Sequence, residues 1–171
     1  TSGNIAVFDH EVRRYVDFLR RFDRDFEKMD QATRDLIEKV EKFLDTKMPG
    51  QVDIPEVQTI KRGIREAEAV SGIETFGMHR DQARFLNLPF YQTGKTRKDP
   101  IGPEDVRITH ELIEEHRPSL IFVAGDLSDP HGTHRMCLET VEAALTQYSG
   151  DQPEVWYYRG AWQEWEIAEA D

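Results

Sequence analysis

Apolar side chains recur at three- and four-residue intervals over the first part of the chain. Val12, Tyr15, Val16, Leu19 and Phe22 fall on one side of a helix over residues 11–22. Leu36, Ile37, Val40, Phe43 and Leu44 do the same over residues 30–46, with Met48-Pro49-Gly50 as the stop. A third helix is predicted from Pro55, a residue suited to a first helical turn, through Ile60, Ile64, Ala67 and Ala69 to residue 71 or 76.

The pattern then shortens. Residues 84–88 (Arg-Phe-Leu-Asn-Leu) read as a brief strand ended by Pro89, and residues 94–103 as a polar loop carrying Lys95, Arg97 and Lys98. Residues 103–115 read as a helix and 119–124 (Ser-Leu-Ile-Phe-Val-Ala) as a buried strand. A loop and a further helix through Leu138, Val141, Ala144 and Leu145 follow, then strands at 155–158 and 165–167. Helix, apolar strand, loop and helix in succession predict an α/β fold with a parallel sheet covered on both faces. Ligand sites in such sheets lie at the carboxyl ends of the strands, so the loop after Ala124 is the place to look.

Composition narrows the function classes. The chain has 171 residues, a formal net charge of -11 and 38% hydrophobic residues, with no apolar run of membrane-spanning length. That charge argues against nucleic acid or an anionic membrane as the main partner, since both reward clustered cations. The single cysteine, Cys137, excludes a disulfide framework, reads as a small core residue and points to the cytoplasm.

The densest polar cluster is residues 125–135, Gly-Asp-Leu-Ser-Asp-Pro-His-Gly-Thr-His-Arg. His131 and His134, three apart at the start of a helix, can point to one side, and neutral imidazole is a common zinc ligand. The plainer alternative is that Asp129 caps the helix and the histidines are solvated. A catalytic zinc needs about three protein ligands, and this cluster supplies one or two. His10, His79, His110 and His116 have no partner at ligand spacing. Lys95, Arg97 and Lys98 lack the glycine-rich strand-to-helix loop of a phosphate cradle and read as a solvated basic loop. Trp156, Trp162 and Trp165 are more simply core than sugar platforms.

The 125–135 segment resembles the second signature of the PIG-L/LmbE-type N-acetylglucosaminyl deacetylases, Asp-x-His-Pro-Asp-His after an apolar strand. Asp129, His131 and His134 match it, while Gly132 and Thr133 replace its Pro-Asp. Residues 64–69 (Ile-Arg-Glu-Ala-Glu-Ala), Gly77 and residues 85–89 (Phe-Leu-Asn-Leu-Pro) resemble the family's Arg-x-x-Glu-Ala helix, glycine and Phe-Leu-x-x-Pro. Phe90 and Tyr91 stand where the family usually has a sugar-binding aspartate. Together with residues 158–166, these stretches look like the subfamily fused behind a glucosamine-6-phosphate deaminase-like module in bacterial proteins.

The resemblance implies a Rossmann-like, mostly parallel sheet with helices on both faces. It also implies a zinc-dependent hydrolase acting on the acetamide of an N-acetylated amino sugar. His134 would be a metal ligand, His131 and Asp129 catalytic groups, and Arg65 a contact to sugar hydroxyls. The family's Ala-His-Pro-Asp-Asp motif, which brings the other ligands and the base, does not occur here. The expectation is therefore a single partial domain over residues 1–171, cut at both ends from a longer chain. Alone it would be inactive, bind zinc weakly or not at all, and be prone to self-association. A non-catalytic sugar- or sugar-phosphate-binding domain of a deaminase-like protein is the alternative, and a homo-oligomer stays open.

Overall fold

The computed structural model describes residues 3–92, 94–95, 97–125, 129–158 and 168. The strand expected at 165–167, Trp162 and Trp165, and residues 126–128 of the candidate loop lie outside them. The chain divides into two compact units, Ser2–Phe85 and Leu86–Asp171.

The first unit is helical. A 3₁₀ turn at Asn4–Ala6 leads into α1 (Asp9–Asp25), α2 (Gln31–Thr46) and α3 (Pro55–Thr75). Local chemistry fixes the starts. The Glu11 carboxylate reaches back to the Phe8 N–H, the Asp30 carboxylate accepts the Thr33 N–H, and Pro55 opens α3. Val7, Val12, Val16, Ile37, Val40, Leu44, Val57 and Ile64 form the core. Each fully buried aliphatic side chain of this kind contributes about 1.5–3 kcal/mol. Tyr15 and Leu36, which share helical spacing with that stripe, point to solvent, and Ala67 and Ala69 on the last turns of α3 are exposed.

At one edge of this core lies a closed ring of charges that periodicity did not announce. The Lys61 ammonium, on α3 and 4% exposed, sits 2.7 Å from both Asp9 Oδ1 and Asp53 Oδ2. Lys47, just after α2, completes the ring at 2.8 Å from Asp9 Oδ2 and 2.7 Å from Asp53 Oδ1. Two cations and two anions neutralise one another where a lone charge would cost several kcal/mol.

The second unit is α/β. It holds α4 (Pro103–His116), β1 (Leu120–Ala124), α5 (Thr133–Gln147) and β2 (Glu154–Tyr158). β1 and β2 pair in parallel, Leu120 opposite Glu154 and Ala124 opposite Tyr158. α5 packs on β1 and on α4, and Val106, Ile113, Ala144 and Tyr148 make the core between the helices. This supports the α/β class; among the described residues the sheet has two strands. Phe122 and Trp156, cross-strand neighbours, meet edge to face at 5.7 Å and are both more than half exposed. Trp156 is thus on an open face of the sheet and not in the core as its aromatic run suggested.

Residues 84–88 are not a strand. Asn87 takes φ +50°, outside extended geometry, and Pro89 starts a 3₁₀ turn, Pro89–Tyr91, that buries Phe90 and Tyr91. Of the apolar residues there, Leu88 is buried, and it sits in a turn and not in a ladder. No described helix is long and apolar enough to cross a membrane.

Candidate functional site

The site stands at the carboxyl end of β1, where the chain turns into α5. Asp129 is 5% exposed. Its Oδ1 accepts the backbone N–H of His131 at 2.8 Å, and its Oδ2 accepts that of His134 at 2.9 Å. One bond closes a turn two residues on, and the other caps the first turn of the helix, so Asp129 performs the capping task its sequence position allowed. Burial pushes its carboxyl up, but the N–H donors of His134 and His131, with the pull of both imidazoles, outweigh burial and hold it below the usual carboxylate range.

Gly132 lies inside this turn at φ +70°, with its N–H donated to the Asp129 carbonyl at 3.0 Å. Proline, which the deacetylase motif has at this position, is locked near −65° and cannot take that conformation. The Gly132 departure therefore changes the backbone path between the two histidines. His131 and His134 are both exposed side chains, one on each side of this left-handed glycine.

Among the described residues, no three His, Cys, Asp or Glu side chains converge as a metal site would require. With both Asp129 oxygens bonded to backbone N–H groups, these residues do not by themselves fit a zinc ion. Cys137, one turn into α5, is half-buried, and burial raises its thiol above the usual range, in keeping with a packing role.

Arg65 lies on α3 of the first unit. Its guanidinium pairs with Glu68 three residues on, and its stem lies against Gly3, where an added Cβ would sit 3.3 Å from the arginine Cγ. A cleft lined by Arg117, Ser119, Tyr148 and Gln152 opens at the amino end of β1, opposite the Asp129 turn.

The residue that the solvated-loop reading misplaced is Lys98. Lys95 and Arg97 are exposed, as a solvated loop predicts, but Lys98 is half-buried and its ammonium lies over the ring of the buried Tyr91, 5.5 Å from the centroid. There it feels the Asp129 carboxylate. The nearest sequence signal was the aromatic pair Phe90-Tyr91 eight and seven residues earlier, a platform for a cation.

With this geometry in view, similarity to known proteins is informative. The chain is 43% identical over 174 residues to a Bacteroides thetaiotaomicron protein whose name describes it as glucosamine-6-phosphate deaminase-like. The match takes in 98% of this chain and 26% of that protein, so the chain spans about a quarter of the relative's length. No protein-family model matches the chain. No solved structure matches it either. The similarity supports the deaminase-like half of the resemblance and brings no support for the deacetylase half.

Proposed function

We propose that this chain is a sugar- or sugar-phosphate-binding module, without turnover of its own, within a longer glucosamine-6-phosphate deaminase-like protein. The similarity across 98% of the chain to a protein so named carries the reading. The turn after β1 supports it: Asp129 is committed to two peptide N–H groups, and the exposed side chains of His131 and His134 stand on either side of Gly132. Neutral imidazoles donate to and accept from sugar hydroxyls. Completion of the two-stranded sheet into a larger Rossmann-like one by other parts of the polypeptide belongs to this proposal.

The competing reading is hydrolysis of an N-acetyl group. It assigns His131 as general acid and His134 as a zinc ligand, with the remaining ligands supplied from outside this chain. Acetate release and binding, measured on the native-length protein with N-acetylglucosamine and its 6-phosphate, separate the two. Saturable binding without acetate, weakened about tenfold by His131→Ala with His134→Ala, is the expected result. Acetate release abolished by His134→Ala with loss of bound zinc overturns it.

A further inference from the structure

The cleft at the amino end of β1 is framed by the ends of α4 and α5. Arg117 follows α4, Tyr148 follows α5, and Gly150, Asp151 and Gln152 lead into β2. Its volume is about 600 Å³, within the range of small-molecule sites. The walls are tied together by hydrogen bonds: the Glu154 N–H donates to the Ser119 carbonyl at 3.0 Å, and the Gln152 side-chain amide to the Tyr148 carbonyl at 3.0 Å.

Tyr148 is 7% exposed, and among the described residues its hydroxyl has no hydrogen-bond partner. The ring ends against Gly150, where an added Cβ would collide with that hydroxyl. A buried ring thus carries a donor and acceptor to the wall of the cleft, and the absence of a side chain at Gly150 makes room for it. Arg117 takes φ +41°, at a helix end where glycine is the usual residue. An arginine held there against its backbone preference points to a task for the side chain. Its exposed guanidinium has no ion pair among the described residues, and neither has the Asp151 carboxylate.

We propose that this cleft binds a small zwitterion, an ammonium and a phosphate or carboxylate on one frame, at a site separate from the Asp129 turn. The charges of the lining carry the choice. α4 and α5 both end here, so the negative ends of two helix dipoles meet the Glu114 and Asp151 carboxylates, a setting that stabilises an ammonium. Glu114 has a distant neighbour already, His110 Nε2 at 3.6 Å one turn back on α4, which makes Asp151 the stronger partner. Arg117 offers the opposite sign, a planar fork of donors that grips a phosphate or a carboxylate. A ligand of one charge answers one of these groups and repels the other, whereas a zwitterion answers both. The Tyr148 hydroxyl serves the frame between the two charges.

Isothermal titration calorimetry of the native-length protein tests this. The zwitterions are O-phosphoethanolamine and L-serine, and the single-charge controls are ethanolamine and inorganic phosphate. At least one zwitterion should bind saturably, about tenfold tighter than either control. Preference for phosphoethanolamine assigns the anion as phosphate and preference for serine as carboxylate, and either supports the site. Tyr148→Phe removes only the hydroxyl and should weaken that binding about fivefold. Arg117→Gly should weaken it about tenfold while the melting temperature holds or rises, because glycine suits the left-handed backbone. An arginine that only capped α4 would give no such split. His131→Ala with His134→Ala should leave the binding unchanged. The proposal is overturned if no zwitterion binds, if a single-charge control binds as tightly, or if Tyr148→Phe and Arg117→Gly leave affinity unmoved. Binding that survives those two variants and is lost with the histidines places the ligand at the Asp129 turn instead.

Discussion

Asp129 Oδ2 accepts the backbone N–H of His134 at 2.9 Å, so the carboxylate that motif spacing offered to chemistry is engaged in starting a helix. A buried carboxylate in charge-assisted bonds to two N–H groups is a strong cap, and its loss leaves two donors without a partner. Asp129→Ala should destabilise the second unit by about 1–3 kcal/mol. Urea denaturation of the native-length protein, followed by amide exchange over residues 131–136, checks it. The pH dependence has a definite sign. Because the folded carboxyl is held below its ordinary value, its contribution is present above the unfolded value of about 3.9 and is lost as pH falls through the folded one. The stability gap between the native protein and Asp129→Ala should therefore be constant near neutrality and close in acid. A gap that widens on acidification is incompatible with the cap.

Gly132 tests the turn itself. At φ +70°, Gly132→Ala has no serious clash, since the nearest side-chain atom, Arg135 Nη2, would lie 3.5 Å from the new Cβ. The cost is then the left-handed backbone alone, about 1 kcal/mol. Gly132→Pro forces a different φ and should abolish both Asp129 bonds, lowering stability more than Gly132→Ala and weakening sugar binding with it. Thermal melts of the two variants decide it. A Gly132→Pro protein as stable as the native one would show that the chain tolerates the deacetylase-type turn.

The ring of Lys47, Lys61, Asp9 and Asp53 makes a prediction for the first unit. Lys61→Met leaves Asp9 and Asp53 sharing one lysine in a buried place, at a cost of about 3 kcal/mol. The figure sits at the low end of such losses because Asp9 keeps 39% of its side-chain surface in water. Denaturant midpoints of Lys61→Met and of Lys61→Met with Asp53→Leu measure it, and the double variant should regain part of the loss. Equal loss in both would mean the charges do not act as a unit.

Periodicity located α1, α2, α3 and α4 to within about three residues, because helix starts and stops are written in nearby residues. Pro55 and Pro103 each open a helix, and Gly50 follows the end of one. β1 and β2 were legible as apolar runs of strand length. Residues 84–88 were not, since an apolar run is silent on whether a neighbouring strand exists to pair with it. The site divided the same way. Asp129, His131 and His134 stood out by type and spacing, and Asp129's capping role was among the options their order allowed.

The amino-acid order by itself determined the helices, the α/β character of the second unit and the three polar residues at the end of β1, because each is settled by neighbours a few positions away. Tertiary structure alone decided that Lys61 and Lys47 share two aspartates and that Trp156 lies on an open sheet face. It alone decided, too, that Lys98 leaves the solvated loop for the Tyr91 ring. Those outcomes depend in part on groups far apart in the chain, Asp9 lying 38 and 52 positions from Lys47 and Lys61, and on which charges lose their water when distant segments meet. No local pattern carries that information.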